Sequence, residues 1–127
     1  MIALPRALIE RELAAFQPSA IYLFGSCATE QHRVESDLDL AFLPQSGPCD
    51  PMEVFEAAQR IAELVSREVD LVDLSVASTV LRKEVVTGGT LLLDTDSLAR
   101  QEFEMYALSD YARLNEERAP VLRALAA

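Results

Sequence analysis

The chain has 127 residues, 50% of them hydrophobic and 25% charged, which is enough for one globular domain with its own core and excludes disordered, collagen-like and low-complexity polypeptides. It carries 21 Asp and Glu against 11 Lys and Arg, a formal net charge of −10. That balance disfavours nucleic acid and anionic membrane as main partners and favours a basic protein or a cationic small molecule.

Leu4, Leu8, Ile9, Leu13 and Phe16 recur at helical spacing and predict an amphipathic helix over about 4–16, stopped at Gln17-Pro18-Ser19. Ala20 to Phe24 is a short apolar, β-prone run and predicts a buried strand, broken by Gly25-Ser26. A helix or loop follows. Ser36 to Leu43 alternates acidic and apolar residues and predicts a second strand.

Asp50 is placed to cap the next helix, Pro51 suits its first turn, and Glu53 is positioned for a capping box. The stripe Val54, Ala57, Ala58, Ile61, Leu64 and Val65 carries that helix to about residue 67. Val69 to Leu74 predicts a third strand. Ser78 or Thr79 caps a helix to about Thr87, ended by Gly88-Gly89. Leu91 to Leu93 predicts a fourth strand, and a last helix runs from Ser97 to about Arg118, ended by Pro120. There is no repeat and no linker. The expectation is a single α/β (α+β) domain over 1–127, with a core of about 1–95 and a C-terminal helix of about 97–118.

No apolar run reaches the roughly 20 residues of a membrane span, and Met1 to Arg6 has no leader pattern. The expected location is the cytoplasm. Cys27 and Cys49 form no C-x-x-C pair, and the single histidine, His32, cannot complete a zinc site with them. Both are expected as reduced thiols.

The chemistry concentrates in Leu23-Phe24-Gly25-Ser26, ten residues, then Asp37-Leu38-Asp39. Residues two apart on a strand share a face, so Asp37 and Asp39 project together while Leu38 and Leu40 enter the core. Two carboxylates so close repel unless a cation sits between them, and paired hard oxygens suit Mg²⁺ with phosphates completing its shell. Gly25 permits a sharp turn and close backbone approach. Ser26 offers a hydroxyl and backbone N–H groups to a phosphate. Neither G-K-[ST] nor G-x-G-x-x-G is present, so this is neither a Walker A loop nor a dinucleotide fingerprint.

In Val69-Asp70-Leu71-Val72-Asp73-Leu74, each strand face carries one acid among apolar residues. A buried unpaired carboxylate is expensive, so one of the two must be paired, metal-bound or at a strand end. A third carboxylate beside Asp37 and Asp39 would complete a two-metal site and accept a proton from an attacking hydroxyl. Alternation admits only one of Asp70 and Asp73 to that face and leaves the choice open.

Gly25-Ser26, Asp37-Leu38-Asp39 and a later strand aspartate together resemble the DNA polymerase β-type nucleotidyltransferase superfamily. The short chain and its Val69 to Leu74 strand look like the minimal members, the MNT antitoxins of HEPN–MNT toxin–antitoxin pairs. The resemblance implies a nucleotidyltransferase fold, a small mixed sheet flanked by helices. It implies transfer of AMP from ATP to a tyrosine hydroxyl of a HEPN-family RNase toxin, which silences the toxin within a hetero-oligomer. By position, Gly25 and Ser26 would hold the triphosphate, Asp37 and Asp39 would ligate Mg²⁺, and Asp70 would ligate the metal at the nucleophile and help deprotonate it.

Relatives acting on small molecules generally carry a further acceptor-gripping domain, and only one helix and a short tail follow Leu93 here. A small cationic acceptor such as an aminoglycoside, and steric neutralisation without turnover, are the alternatives. Arg82 and Lys83, like His32 and Arg33, read as surface charge, with a triphosphate contact as the second possibility.

Overall fold

The computed structural model describes residues 4–25 and 37–126. Ser26, Cys27, His32, Arg33 and the segment joining the first two strands lie outside the described residues.

The elements follow the hydrophobic periodicity closely. Helix α1 spans Arg6–Leu13 and tightens into a 3-10 turn at Ala14–Phe16. Strand β1 is Pro18–Phe24 and β2 is Leu38–Pro44. Helix α2 is Pro51–Val65, and the Asp50 side chain caps it by accepting from the Met52 amide. Strand β3 is Val69–Asp73. Helix α3 is Thr79–Gly88, capped by Ser78, whose hydroxyl accepts from the Leu81 amide. Strand β4 is Thr90–Asp94 and helix α4 is Ser97–Ala126.

One expectation fails at α4. The helix does not end at Pro120 but runs through it to Ala126. Proline removes one amide donor from a helix. Here the acceptor left over is the Glu116 carbonyl, in a turn where residues 115–118 are all exposed, so water takes the bond. The described contacts of α4 with the rest of the chain reach to Tyr111, over whose ring Lys83 Nζ sits at 4.9 Å. Beyond it Val121, Leu122 and Leu125 are exposed.

The strands form one mixed sheet in the order β3-β2-β1-β4. β1 runs antiparallel to both β2 and β4, and β2 runs parallel to β3. Alternation then sorts the side chains into two layers. Ile21, Leu23, Leu38, Leu40, Phe42 and Leu92 pack with Ile9 and Leu13 of α1 and Ala57 and Ile61 of α2. Ala20, Tyr22, Ala41 and Leu74 pack with Val85 of α3 on the other face, joined by Phe103 of α4. The buried Tyr22 hydroxyl donates to Glu104 of α4 at 2.8 Å, which ties this second layer to the sheet.

Candidate active site

The sheet has one end where the C-terminus of β1 meets the N-termini of β2, β3 and β4. The register fixes this: Phe24 pairs with Asp39, Leu23 with Thr90, and Asp39 with Asp70. The Leu38 amide bonds the Glu68 carbonyl at 2.8 Å and locks β2 to β3 at that end.

Leu38 and Leu40 fill the layer under α1 and α2, so Asp39 faces the other way, toward the side of α3 and α4. Asp70 lies directly beside it on the neighbouring parallel strand and therefore shares its face. Asp70 is exposed and Asp39 half-buried. Burial raises the Asp39 carboxyl above the usual carboxylate range, and the charges of Asp70 and then Asp37 raise it further. Asp37, also exposed, is thus near enough to be felt. Among the described residues, no three carboxylate, thiol or imidazole groups are already gathered as a metal cage. The donor set is nonetheless hard oxygen throughout, crowded with like charge, and fits a divalent cation such as Mg²⁺.

Gly25 sits against this group. Its φ is +72°, and a Cβ placed on it would overlap Asp39 Oδ2 and stand 3.0 Å from Cγ. Only glycine allows both that backbone conformation and that approach.

Asp73 has a different surrounding. It is buried, and Oδ2 accepts from the Cys49 amide at 2.9 Å while Oδ1 accepts from the Ser75 amide at 2.9 Å and the Ser75 hydroxyl at 2.6 Å. It fastens the end of β3 to the loop before α2, on the opposite face from Asp70. Asp73→Ala strips partners from two backbone donors and should lower stability by about 2–3 kcal/mol. Exposed Asp70→Asn should stay within roughly 0.5 kcal/mol of the parent. Urea unfolding midpoints of the two variants check this contrast.

Arg82 and Lys83 do not reach the acids. Arg82 donates to the Leu74 and Ser75 carbonyls at 2.9 and 2.7 Å and lies 6.0 Å from the Phe103 ring centre, so it is a brace between β3 and α4. Lys83 is committed to the Tyr111 ring. Sequence periodicity marks neither role, because each depends on how α3 and α4 cross.

Residues 8–98 match the family model described as polymerase beta, nucleotidyltransferase. The chain belongs to this nucleotidyltransferase family. The nucleotidyltransferase is 39% identical over 105 residues to protein adenylyltransferase MntA of Shewanella oneidensis, covering 80% of this chain and 72% of that protein. It is similar to a toxin–antitoxin crystallised with AMP-PNP, at TM-score 0.84 and 37% identity over 98% of this chain and 100% of that one. It also matches a tri-AMPylated Shewanella oneidensis HEPN toxin in complex with MNT antitoxin, at TM-score 0.75 and 31% identity over 96% of this chain and 99% of that one. An end of the sheet that gathers carboxylates beside a tight glycine turn is what nucleotidyl transfer requires: acids to hold cations, and backbone that lets a triphosphate come close.

Proposed function

We propose that this nucleotidyltransferase is an antitoxin that transfers AMP from ATP to a tyrosine hydroxyl of a HEPN-family toxin and thereby silences it. The observation that carries the reading is the pairing of Asp39 with Asp70 across β2 and β3, beside the turn at Gly25. Its similarity to MntA, a protein adenylyltransferase, and to an MNT antitoxin in complex with a tri-AMPylated HEPN toxin supports transfer over purely steric blocking. The toxin and this chain form a hetero-oligomer. The reaction belongs in the cytoplasm, where ATP is abundant. No helix among the described residues is long and apolar enough to cross a membrane.

Asp37, Asp39 and Asp70 are the residues to hold Mg²⁺, which when bound supplies the positive charge that offsets the triphosphate and the developing oxyanions. Gly25 and Ser26 are the residues to receive the β- and γ-phosphates. Asp70 holds the tyrosine hydroxyl and accepts its proton as the oxygen bonds to the α-phosphorus. The bond from that phosphorus to the bridging oxygen breaks, and pyrophosphate leaves. Asp39 and Asp70 sit on paired strands, with the buried Leu38 and Leu40 flanking Asp39, so the spacing of these two acids does not depend on a loop; Asp37 stands just before β2.

ATP labelled at the α-phosphate, incubated with Mg²⁺ and the HEPN partner, should label the partner. Tryptic mass spectrometry should then find the mass of AMP on a tyrosine. Tight binding of the partner with no label transferred would refute the enzymatic reading and leave a steric antitoxin.

A further inference from the structure

We propose that the last four turns of α4 are the surface on which the HEPN partner docks, a helix of the partner packing along Val121, Leu122 and Leu125 and offering a carboxylate to Arg118. The inference rests on the partner named above and deepens that reading by giving the partner its place on this chain.

Ala107, Tyr111, Leu114, Arg118, Val121 and Leu125 follow one another at alternating steps of four and three residues, so they lie on one face of α4. This is the spacing by which one helix packs along another. The first half of that seam is filled. Ala107 is buried, Tyr111 lies under Lys83 of α3, and Leu114 is half-buried. The second half is bare. Val121 and, at the border of the seam, Leu122 are more than half exposed, and Leu125 is 78% exposed. The helix nonetheless continues to Ala126, about 22 Å past Tyr111 and with Pro120 inside it. A helical stretch of that length is marginal in water without packing on its apolar face, and among the described residues nothing covers it.

Three features select the occupant. The alternating spacing calls for a helix, which a nucleotide or a small acceptor cannot supply. Charge then argues against a second copy of this chain. Each copy has a net charge of −10, and a symmetric pairing along the seam would bring Arg118 toward its own counterpart. A different protein can meet Arg118 with a carboxylate in the middle of the apolar seam. Residues 112–126 carry three arginines against two glutamates, so this end of an acidic chain is locally basic and suits that carboxylate. Finally, the match to the toxin–antitoxin crystallised with AMP-PNP covers 98% of this chain, and the 2% outside it is too little to hold the end of α4. The projecting helix is therefore part of the structure shared with a chain that assembles with a toxin.

The test measures the dissociation constant of the complex with the HEPN partner by titration calorimetry. Val121→Glu with Leu125→Glu should raise it roughly tenfold or more. Both positions are exposed, so the core is untouched, and the Mg·ATP-induced rise in melting temperature should stay at the parent value. Arg118→Glu should weaken the complex as well, and replacing one carboxylate of the partner by arginine should restore it. Met52→Glu with Phe55→Glu, equally exposed apolar positions on α2, should leave binding unchanged. Unchanged binding in the α4 variant, equal weakening by the α2 variant, or a dimer of this chain alone that the α4 variant dissociates would each overturn the inference. Tight binding without AMP transfer would overturn the enzymatic reading and not this surface. No binding of the unaltered chain to the partner would overturn the partner reading beneath it, and this surface with it.

Discussion

Asp39→Asn should abolish AMP transfer, with a fall of about 100-fold or more, and at the same time make the metal-free protein more stable at neutral pH. The two effects share one cause. Burial, Asp70 and Asp37 all push the Asp39 carboxyl upward, so its charged form is disfavoured in the fold. A carboxyl raised in the folded state keeps its proton longer than in the unfolded chain. Folding then binds protons, and stability falls as pH rises from the ordinary carboxylate range through the raised value. The penalty is complete above that value and absent below the unfolded one. Asparagine removes the charge and with it the penalty. Thermal unfolding from pH 3 to pH 8 without divalent ions should show the variant gaining on the parent as pH rises, and the curves converging in acid. Added Mg²⁺ should raise the parent's melting temperature more than the variant's, since a cation removes in the parent what the substitution has already removed. A variant no more stable than the parent at pH 7 would show that the acids are not in conflict.

Gly25→Ala should cost about as much activity with far less change in folding. The backbone there has φ +72°, a region that side chains tolerate poorly, at about 1 kcal/mol of strain. The larger effect is local. The new methyl occupies the place of the Asp39 carboxylate, which must swing away, while strand pairing between Phe24 and Asp39 has no reason to break. Displacing a catalytic carboxylate by about 1 Å is enough for a loss on the order of 100-fold. Initial rates of label transfer, set beside circular dichroism and the unfolding midpoint, separate a lost site from a lost fold. An active Gly25→Ala enzyme would mean that Asp39 holds no fixed position in the reaction.

Much of this was legible before any coordinates. The period-two alternation through Leu38, Asp39 and Leu40 marks the face of each of these side chains, although the strand starts at Leu38 and leaves Asp37 just outside it, and the cap signals at Asp50 and at Ser78 or Thr79 mark where two helices start. Those signals are local, and local physics decides them. The choice between Asp70 and Asp73 was not legible from the strand alone, since alternation says only that they differ. It needs the register of β3 against β2, which is a tertiary fact. The roles of Arg82 and Lys83 were hidden for the same reason: their partners, the Leu74 and Ser75 carbonyls and the Tyr111 ring, come from other elements. The end of α4 is not legible at Pro120, because whether a proline ends a helix depends on whether the orphaned carbonyl can reach water, and that is set by the exposure of the turn before it.

The place of β4 has a consequence for how the molecule comes into being. β4 closes the sheet against β1, pairing Thr90 with Leu23, and the chain between them includes every other strand. Contacts of such long sequence separation form late, because the intervening chain must be ordered first. During synthesis, β1, β2 and β3 can assemble while one side of β1 still lacks its neighbour, leaving an exposed edge of the kind that invites aggregation. The second side of β1 is covered only once residues 90–94 have emerged. The nascent protein therefore closes its sheet in a single late step, with α4 still to follow.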